Sequence, residues 1–243
     1  MMKKIILKII ILIAIIVISI VSLLIGTGYS MYAKALKEVP IEDKIKQIKS
    51  SDNYTNINDI SEIYKNAVIA VEDHRFYEHN GVDLFAIFRA IITDIRFNEL
   101  KEGGSTITQQ LAKNTYFTQN KEITRKIAEG FMSSKYEKNL NKDDILELYV
   151  NTSYFGNGYY NIKEASLGYF NKNPLELNDF EATMLAGIPN APSVYAPTVN
   201  FELASQRQKQ VLTKMVKYGY INDEKMSEIL SQTDKYKELF NNK

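Results

Sequence analysis

The chain opens on an apolar run from Ile9 to Ile25, "IIILIAIIVISIVSLLI", that holds no charged residue. With Ile5 to Lys8 added it comes to about 20 residues, or about 30 Å of helix, enough to cross a bilayer core. The pattern then changes. From Gly26 to about Ile60 the sequence is rich in Lys, Asn, Ser and Asp and reads as a flexible connector. Beyond Ser61 apolar residues recur at helical spacing. Ile63, Ala67, Ala70 and Val71 mark one helix, and Leu84, Phe85, Ile87, Phe88, Ile91, Ile92 and Ile95 form a broad stripe on another. "ITQQLAKN" follows the double glycine Gly103-Gly104, and Ile123, Ile127 and Phe131 lie in steps of four. Asn141 is placed to cap "DDILELYV", and Asn178 or Asp179 to cap "NDFEATMLAGI", which stops at Pro189. "FELASQRQKQVLTKMVKYG" ends at Gly219, a C-terminal cap, and "NDEKMSEIL" makes a last helix. Alternating strand patterns are scarce. The expected fold class is mainly α behind one N-terminal transmembrane helix, divided at residues 1–28, 29–60 and 61–235.

Charge and composition narrow the picture. Thirty Lys+Arg stand against 29 Asp+Glu, which removes the electrostatic case for nucleic acid. The absence of cysteine excludes disulfides, zinc thiolates and thiol catalysis. Lys3, Lys4 and Lys8 precede the apolar run, so the N-terminus is expected in the cytoplasm and the rest outside. A cleaved signal peptide is the rival reading. Its apolar region would normally span about 7–15 residues before a small-residue cleavage site. "AKA" at Ala33 to Ala35 comes late for that, and the single-pass anchor in the cell membrane is preferred.

Four stretches could carry chemistry. "AVEDHRFYEHNG" brings Glu72 and Asp73 to the end of an apolar helix. It reads either as a solvated helix end with Gly81 as a turn, or as a site for proton transfer, because apolar surroundings make a carboxyl hold its proton more readily. His74 and His79, five apart, are a poor metal pair and are expected in hydrogen-bonding roles. In "EGGSTITQQLAKN", Thr106 and Gln109 fit a capping box. Thr106, Gln109, Gln110 and Lys113 fall on one helix face that is polar but nearly uncharged, a reasonable phosphate site behind glycines. Arg125 and Glu129, with Lys126 beside them, read by spacing as a surface ion pair. Asp143-Asp144 decorates a first helical turn and is not a metal motif.

Taken in order, these pieces resemble the peptidoglycan glycosyltransferase family, bacterial enzymes that polymerise lipid II. "EDHRFYEHNG" is similar to the first family motif, "GGSTITQQLAKN" to the second, "RKIAE" to the third, "ILELYVNTSYFGNG" to the fourth and "EATMLAGIPNAPSVYAP" to the fifth. The resemblance covers roughly residues 60–229 and, with the chain stopping there, looks like a monofunctional form. Asn161 and Asn171 stand where the family usually has glycine. Asparagine best replaces glycine in a left-handed turn, so both turns are expected to survive.

The resemblance implies a lysozyme-like, mostly helical fold and assigns roles. Glu72 is the general base that takes the proton from the 4-hydroxyl of lipid II. That hydroxyl attacks the anomeric carbon of the growing chain, activated by a lipid diphosphate, with inversion to a β-1,4 linkage. Lys113, Arg125 and Lys126 stabilise the leaving diphosphate, and Glu129 is the second functional glutamate. Asp73, Phe76, His79 and Gly81 shape the base's surroundings; Ser105, Thr106, Gln109 and Gln110 shape the cleft. No cofactor is called for and no metal site is read in the chain, although a divalent cation assists some members. The expected partners are lipid II, the growing glycan, the membrane and other cell-wall synthesis proteins. A lysozyme-like hydrolase or lytic transglycosylase is the nearest rival, and an inactive membrane-tethered scaffold is another. Because the connector reads as flexible, cleft height is expected to depend on part of the stripe 84–100 dipping into the outer leaflet, with Arg89 and Arg96 at lipid head groups; the alternative is that the stripe is all core.

Overall fold

A computed structural model describes residues 2–89, 104–117 and 122–241 of the chain. Its helices are α1 (Met2–Glu38), α2 (Ile41–Lys49), α3 (Glu62–Glu72), α4 (Ile107–Tyr116), α5 (Ile123–Asn139) and α6 (Lys142–Val150). After them come α7 (Ile162–Phe170), α8 (Asp179–Gly187), the short α9 (Pro192–Tyr195), α10 (Phe201–Lys217), α11 (Asp223–Leu230) and α12 (Thr233–Asn241). No strand occurs among the described residues, so the mainly α expectation holds.

Two packed groups position the site. α3 lies against α8 and α10, and α4 lies against α5 and α6. Tyr64, Ala67, Val68 and Ala70 supply the buried face of α3, and Ile107, Leu111 and Ala112 that of α4. The caps form as expected. Asn141 accepts from Asp144 N–H, and Asn178 forms a capping box with Glu181. Gly219 follows α10 with φ +78°, where a side chain would be strained.

The connector is largely helical and packs on the domain. α1 runs without a break through Gly26 and Gly28 to Glu38, and Tyr32, Ala35 and Leu36 pack on the core. In α2, Ile41, Ile45 and Ile48 recur at helical spacing and face inward, a short amphipathic pattern hidden among the lysines. The stretch beyond is stapled to α6. Asn151 accepts from Thr55 N–H and donates to Thr55 C=O, both at 2.8 Å, while Ile57 N–H donates to Glu147.

Other expectations resolve differently. Ile127 and Phe131 face α1, not the core; α5 buries Ala128, Met132 and Tyr136 instead. Residues 84–89 are helical, with Leu84, Phe85 and Phe88 exposed and Ile87 half-buried. Ile91, Ile92, Ile95, Arg96 and Gly103 lie outside the described residues. Asn171 is left-handed (φ 55°, ψ 41°), as expected of a glycine substitute. Asn161 is extended (φ −156°) and instead caps α7 by accepting from Glu164 N–H, so its side chain earns its place as a cap.

Sequence spacing missed α12. Tyr236 stacks on Phe180 at 4.1 Å and donates to Glu181 at 2.8 Å, and Phe240 meets Phe170 edge-on at 5.7 Å. This last helix therefore closes the α7–α8 side of the core. Phe240→Ala should destabilise the protein by about 3 kcal/mol in denaturant unfolding, the usual cost of truncating a buried phenylalanine. A loss below about 1 kcal/mol would detach α12 from the cooperative fold.

Candidate active site

Glu72 is the last residue of α3, and its carboxylate is nearly enclosed (8% side-chain exposure). One oxygen accepts from Gln110 Nε2 at 2.6 Å. The other faces Arg207 of α10 at 3.5 Å. Arg207 is itself steadied, donating from Nε to Gly187 C=O at 3.3 Å and from Nη1 to Gln210 at 3.0 Å.

The next residue performs a different task. Asp73 is buried, and its carboxylate accepts from His79 Nε2 at 2.9 Å and from Ile107 N–H at 3.0 Å. Gly81 N–H donates to His79 Nδ1, which assigns the ring proton to Nε2 and aims it at Asp73. Gly81 (φ +91°) could not carry a Cβ without meeting the Ser133 backbone at 3.1 Å. Its carbonyl accepts from Thr106 Oγ1 at 2.6 Å, and Thr106 forms the capping box with Gln109 that starts α4.

Beside Glu72 lies a cavity of about 210 Å³ lined by Ser105, Gln109, Gln110, Lys113, Arg125, Lys126 and Glu129. Glu129 is 1% exposed and pairs with both Arg125 and Lys126, the latter at 2.9 Å. This is no surface ion pair, contrary to the spacing argument. Lys126 also reaches Ser105 Oγ. Lys113 Nζ has no hydrogen-bond partner among the described residues. Burial first, and Arg125 second, lower its pKa, while Glu72 acts the other way. Lys126 is lowered to about 8, by burial and then by Arg125 and Lys113. Its side chain remains 43% exposed, so solvent moderates that effect. The arrangement is a carboxylate able to take a proton, next to a cationic pocket short of an anion.

A family model described as "Transglycosylase" matches residues 41–216. The chain belongs to that family. It is thus a peptidoglycan glycosyltransferase-family chain, as the motifs suggested. Penicillin-binding protein 1A of Neisseria flavescens is 43% identical over 189 residues, 78% of this chain and 24% of the relative. That of Neisseria lactamica is 45% identical over 179 residues, 74% of this chain and 22% of the relative. That of Aquifex aeolicus is 42% identical over 179 residues, 74% and 25% respectively. The chain thus spans about a quarter of the length of these relatives. A crystal structure of penicillin-binding protein 1A from Haemophilus influenzae aligns over 51% of this chain and 15% of that one, with 27% identity and a TM-score of 0.36.

Within this transglycosylase-family domain the expected site residues divide into two sets. Glu72, Ser105, Gln109, Gln110, Lys113, Arg125, Lys126 and Glu129 converge on the cleft. Asp73, Phe76, His79 and Thr106 do not line it. They are buried, and the polar ones spend their hydrogen bonds inside the protein, so they build the cleft and do not face a ligand. Phe76 packs beneath Lys142, 4.6 Å from ring centre to Nζ. His74 stacks on Tyr218 at 4.1 Å and makes no hydrogen bond among the described residues, unlike His79. Asp143 and Asp144 do sit in the first turn of α6. Arg207 was missed; its surroundings "ASQRQKQ" are those of any polar helix face, and only the tertiary fold brings it to Glu72.

The enclosure of Glu129 makes Arg125 structural as well as cationic. Arg125→Ala should cost about 2–3 kcal/mol in urea unfolding, because it strips a buried carboxylate of one of two partners. Adding Glu129→Gln should recover part of that loss. A cost below about 1 kcal/mol would return the pair to the surface class.

Proposed function

We propose that this chain polymerises lipid II into peptidoglycan glycan strands. The observation that carries the reading is Gln110, which touches Glu72 and also lines the cationic pocket, so base and anion site share a wall. Lipid II binds with its 4-hydroxyl against Glu72, and the diphosphate of the growing chain occupies the pocket. The hydroxyl oxygen forms a bond to the anomeric carbon as its proton passes to Glu72. The bond from that carbon to the diphosphate breaks on the opposite face, and its electron pair stays on the phosphate oxygen. Inversion gives the β-1,4 linkage. Gln110 and Arg207 hold the Glu72 carboxylate in one orientation before the hydroxyl arrives. Arg125 and Lys126, set by Glu129, and Lys113 meet the charge that develops on the leaving group.

A divalent cation resident on the protein does not fit the donor set. Glu129 is taken by Arg125 and Lys126, and Glu72 by Gln110 and Arg207, leaving no cage of free oxygens among the described residues. Such an ion would arrive bound to the diphosphate. A hydrolase shares a glutamate and a sugar but has no use for the cationic pocket, and an inert scaffold has no need of either. α1 has an apolar window none of which is buried, and we read it as a single span with the N-terminus in the cytoplasm, on the strength of Lys3, Lys4 and Lys8.

Incubating the purified protein with lipid II should yield long glycan strands; sugar release without polymer would favour the hydrolase. Glu72→Gln keeps shape and removes basicity, so polymerisation should fall about 10²–10⁴-fold with the fold unchanged. Near-normal activity in that variant would remove Glu72 from the role. Burial, then Arg125 and Lys113, lower the Lys126 pKa to about 8, so it loses charge as pH rises through that region. Hence kcat/KM should decline as pH rises through that value, and Lys126→Arg, which stays charged, should move the decline upward. An identical profile in the variant would clear Lys126 of the effect.

A further inference from the structure

Gly28 is the one buried residue of α1. A Cβ there would lie 2.6 Å from Ile127 Cγ2 and 2.9 Å from the Thr124 carbonyl oxygen, so the α1 backbone rests directly on α5. Tyr29 and Tyr32 flank the contact and close on Phe131, with ring centres 5.4 and 5.8 Å away. Thr124 and Ile127 bracket Arg125 and Lys126 in sequence, so the point where the anchor docks is the turn that carries two of the pocket's cations.

The depth of that point follows from helix geometry. The apolar run ends at Ile25, three residues before Gly28. At a rise of about 1.5 Å per residue, the contact stands about 5 Å beyond the hydrocarbon edge. That falls within the head-group layer, which adds about 5–8 Å on each side of the core. Two further features mark the same level. Tyr29 and Tyr32 are the aromatic type favoured at the membrane interface. Ile123, first residue of α5, is 69% exposed, which water does not favour but an interface accepts.

We infer that the Gly28–α5 contact is a depth gauge: it holds the cationic pocket at the level of the lipid phosphates, so that a lipid-linked diphosphate enters sideways without its tails being drawn out of the bilayer. The inference rests on the proposed lipid-diphosphate substrate and adds to it the way in which the pocket is set at substrate height. The anchor is then a strut, not a tether, and replaces the flexible connector that the sequence suggested.

Two measurements on the full chain test this, one of them independent of substrate. The protein has no cysteine, so Ile123→Cys offers a single site for a fluorophore in proteoliposomes. Quenching should be strongest by lipids that carry a nitroxide at the head group, and weak by lipids labelled deep in the tail. A seven-residue polar helical insert after Ile25 keeps the docking face within about 20° and lifts it by about 10 Å. It should abolish the quenching. A label left in bulk water in the uninserted chain, or unmoved by the insert, overturns the gauge. In the second measurement the insert and Gly28→Leu should each cut lipid II polymerisation at least tenfold in proteoliposomes, yet stay within about threefold of the parent in detergent micelles, where depth has no meaning. Equal losses in both media would show that the contact only shapes the pocket, and equal activity in vesicles would show that depth is not limiting; either result overturns the inference. Failure of the parent chain to polymerise lipid II in micelles would instead sink the functional reading, while the quenching result would still report on depth.

Discussion

Everything at the cleft depends on the buried carboxylate of Asp73. A buried carboxylate is costly unless it is met by donors, and here the His79 ring and the first N–H of α4 meet it. Its charge also faces the positive end of the α4 dipole, which favours it further. The result ties the end of α3 to the start of α4 through a single side chain. Glu72 sits one residue before the knot and Gln110 one helical turn after it. Their 2.6 Å contact is therefore set by neighbours of the two residues that the Asp73–Ile107 hydrogen bond joins, and the turn through Gly81 and Thr106 braces it from behind. The adjacent acids in "ED" thus divide the labour: one fixes the frame and the other faces the cleft.

The electrostatics of the pocket follow from the same frame. Among the described residues that line the pocket, Lys113, Arg125 and Lys126 stand against Glu129, an excess of two positive charges (three minus one). Mutual repulsion and burial act together to lower the lysine pKa values. Such a pocket is poised to gain more from a doubly charged anion than from any neutral sugar. Glu129 keeps the excess from scattering, because its two oxygens hold Arg125 and Lys126 on one side of the cavity.

Much of this was legible in the sequence where the signal is local. The capping boxes, the N-caps and the motif residues of the cleft depend on spacings of three or four, and those survive folding unchanged. Several of the differences arise where the partner lies far along the chain. The stripe Ile123–Ile127–Phe131 was sound as a pattern, but nothing local says that it serves α1 and not the core. The stretch from Gly26 read as a connector, yet α1 continues through it to Glu38 with Gly28 resting on α5. The resemblance placed Asp73, Phe76, His79 and Thr106 around the site, and the structure has them buried in its walls. Asn161 and Asn171 looked alike as glycine substitutes and turned out to use different properties of asparagine, one its side-chain acceptor and the other its tolerance of positive φ.

The pairing of Glu72 with Arg207 joins positions 135 apart in the chain. It has a consequence for biogenesis. A polypeptide made from its N-terminus displays Glu72 long before α10 exists, and at that stage the carboxylate lacks the guanidinium that will face it. Contacts of such long sequence separation are among the last to form. The surroundings of Glu72 are therefore complete only when the domain is, and a stalled or clipped nascent chain is left with that carboxylate unfaced by Arg207.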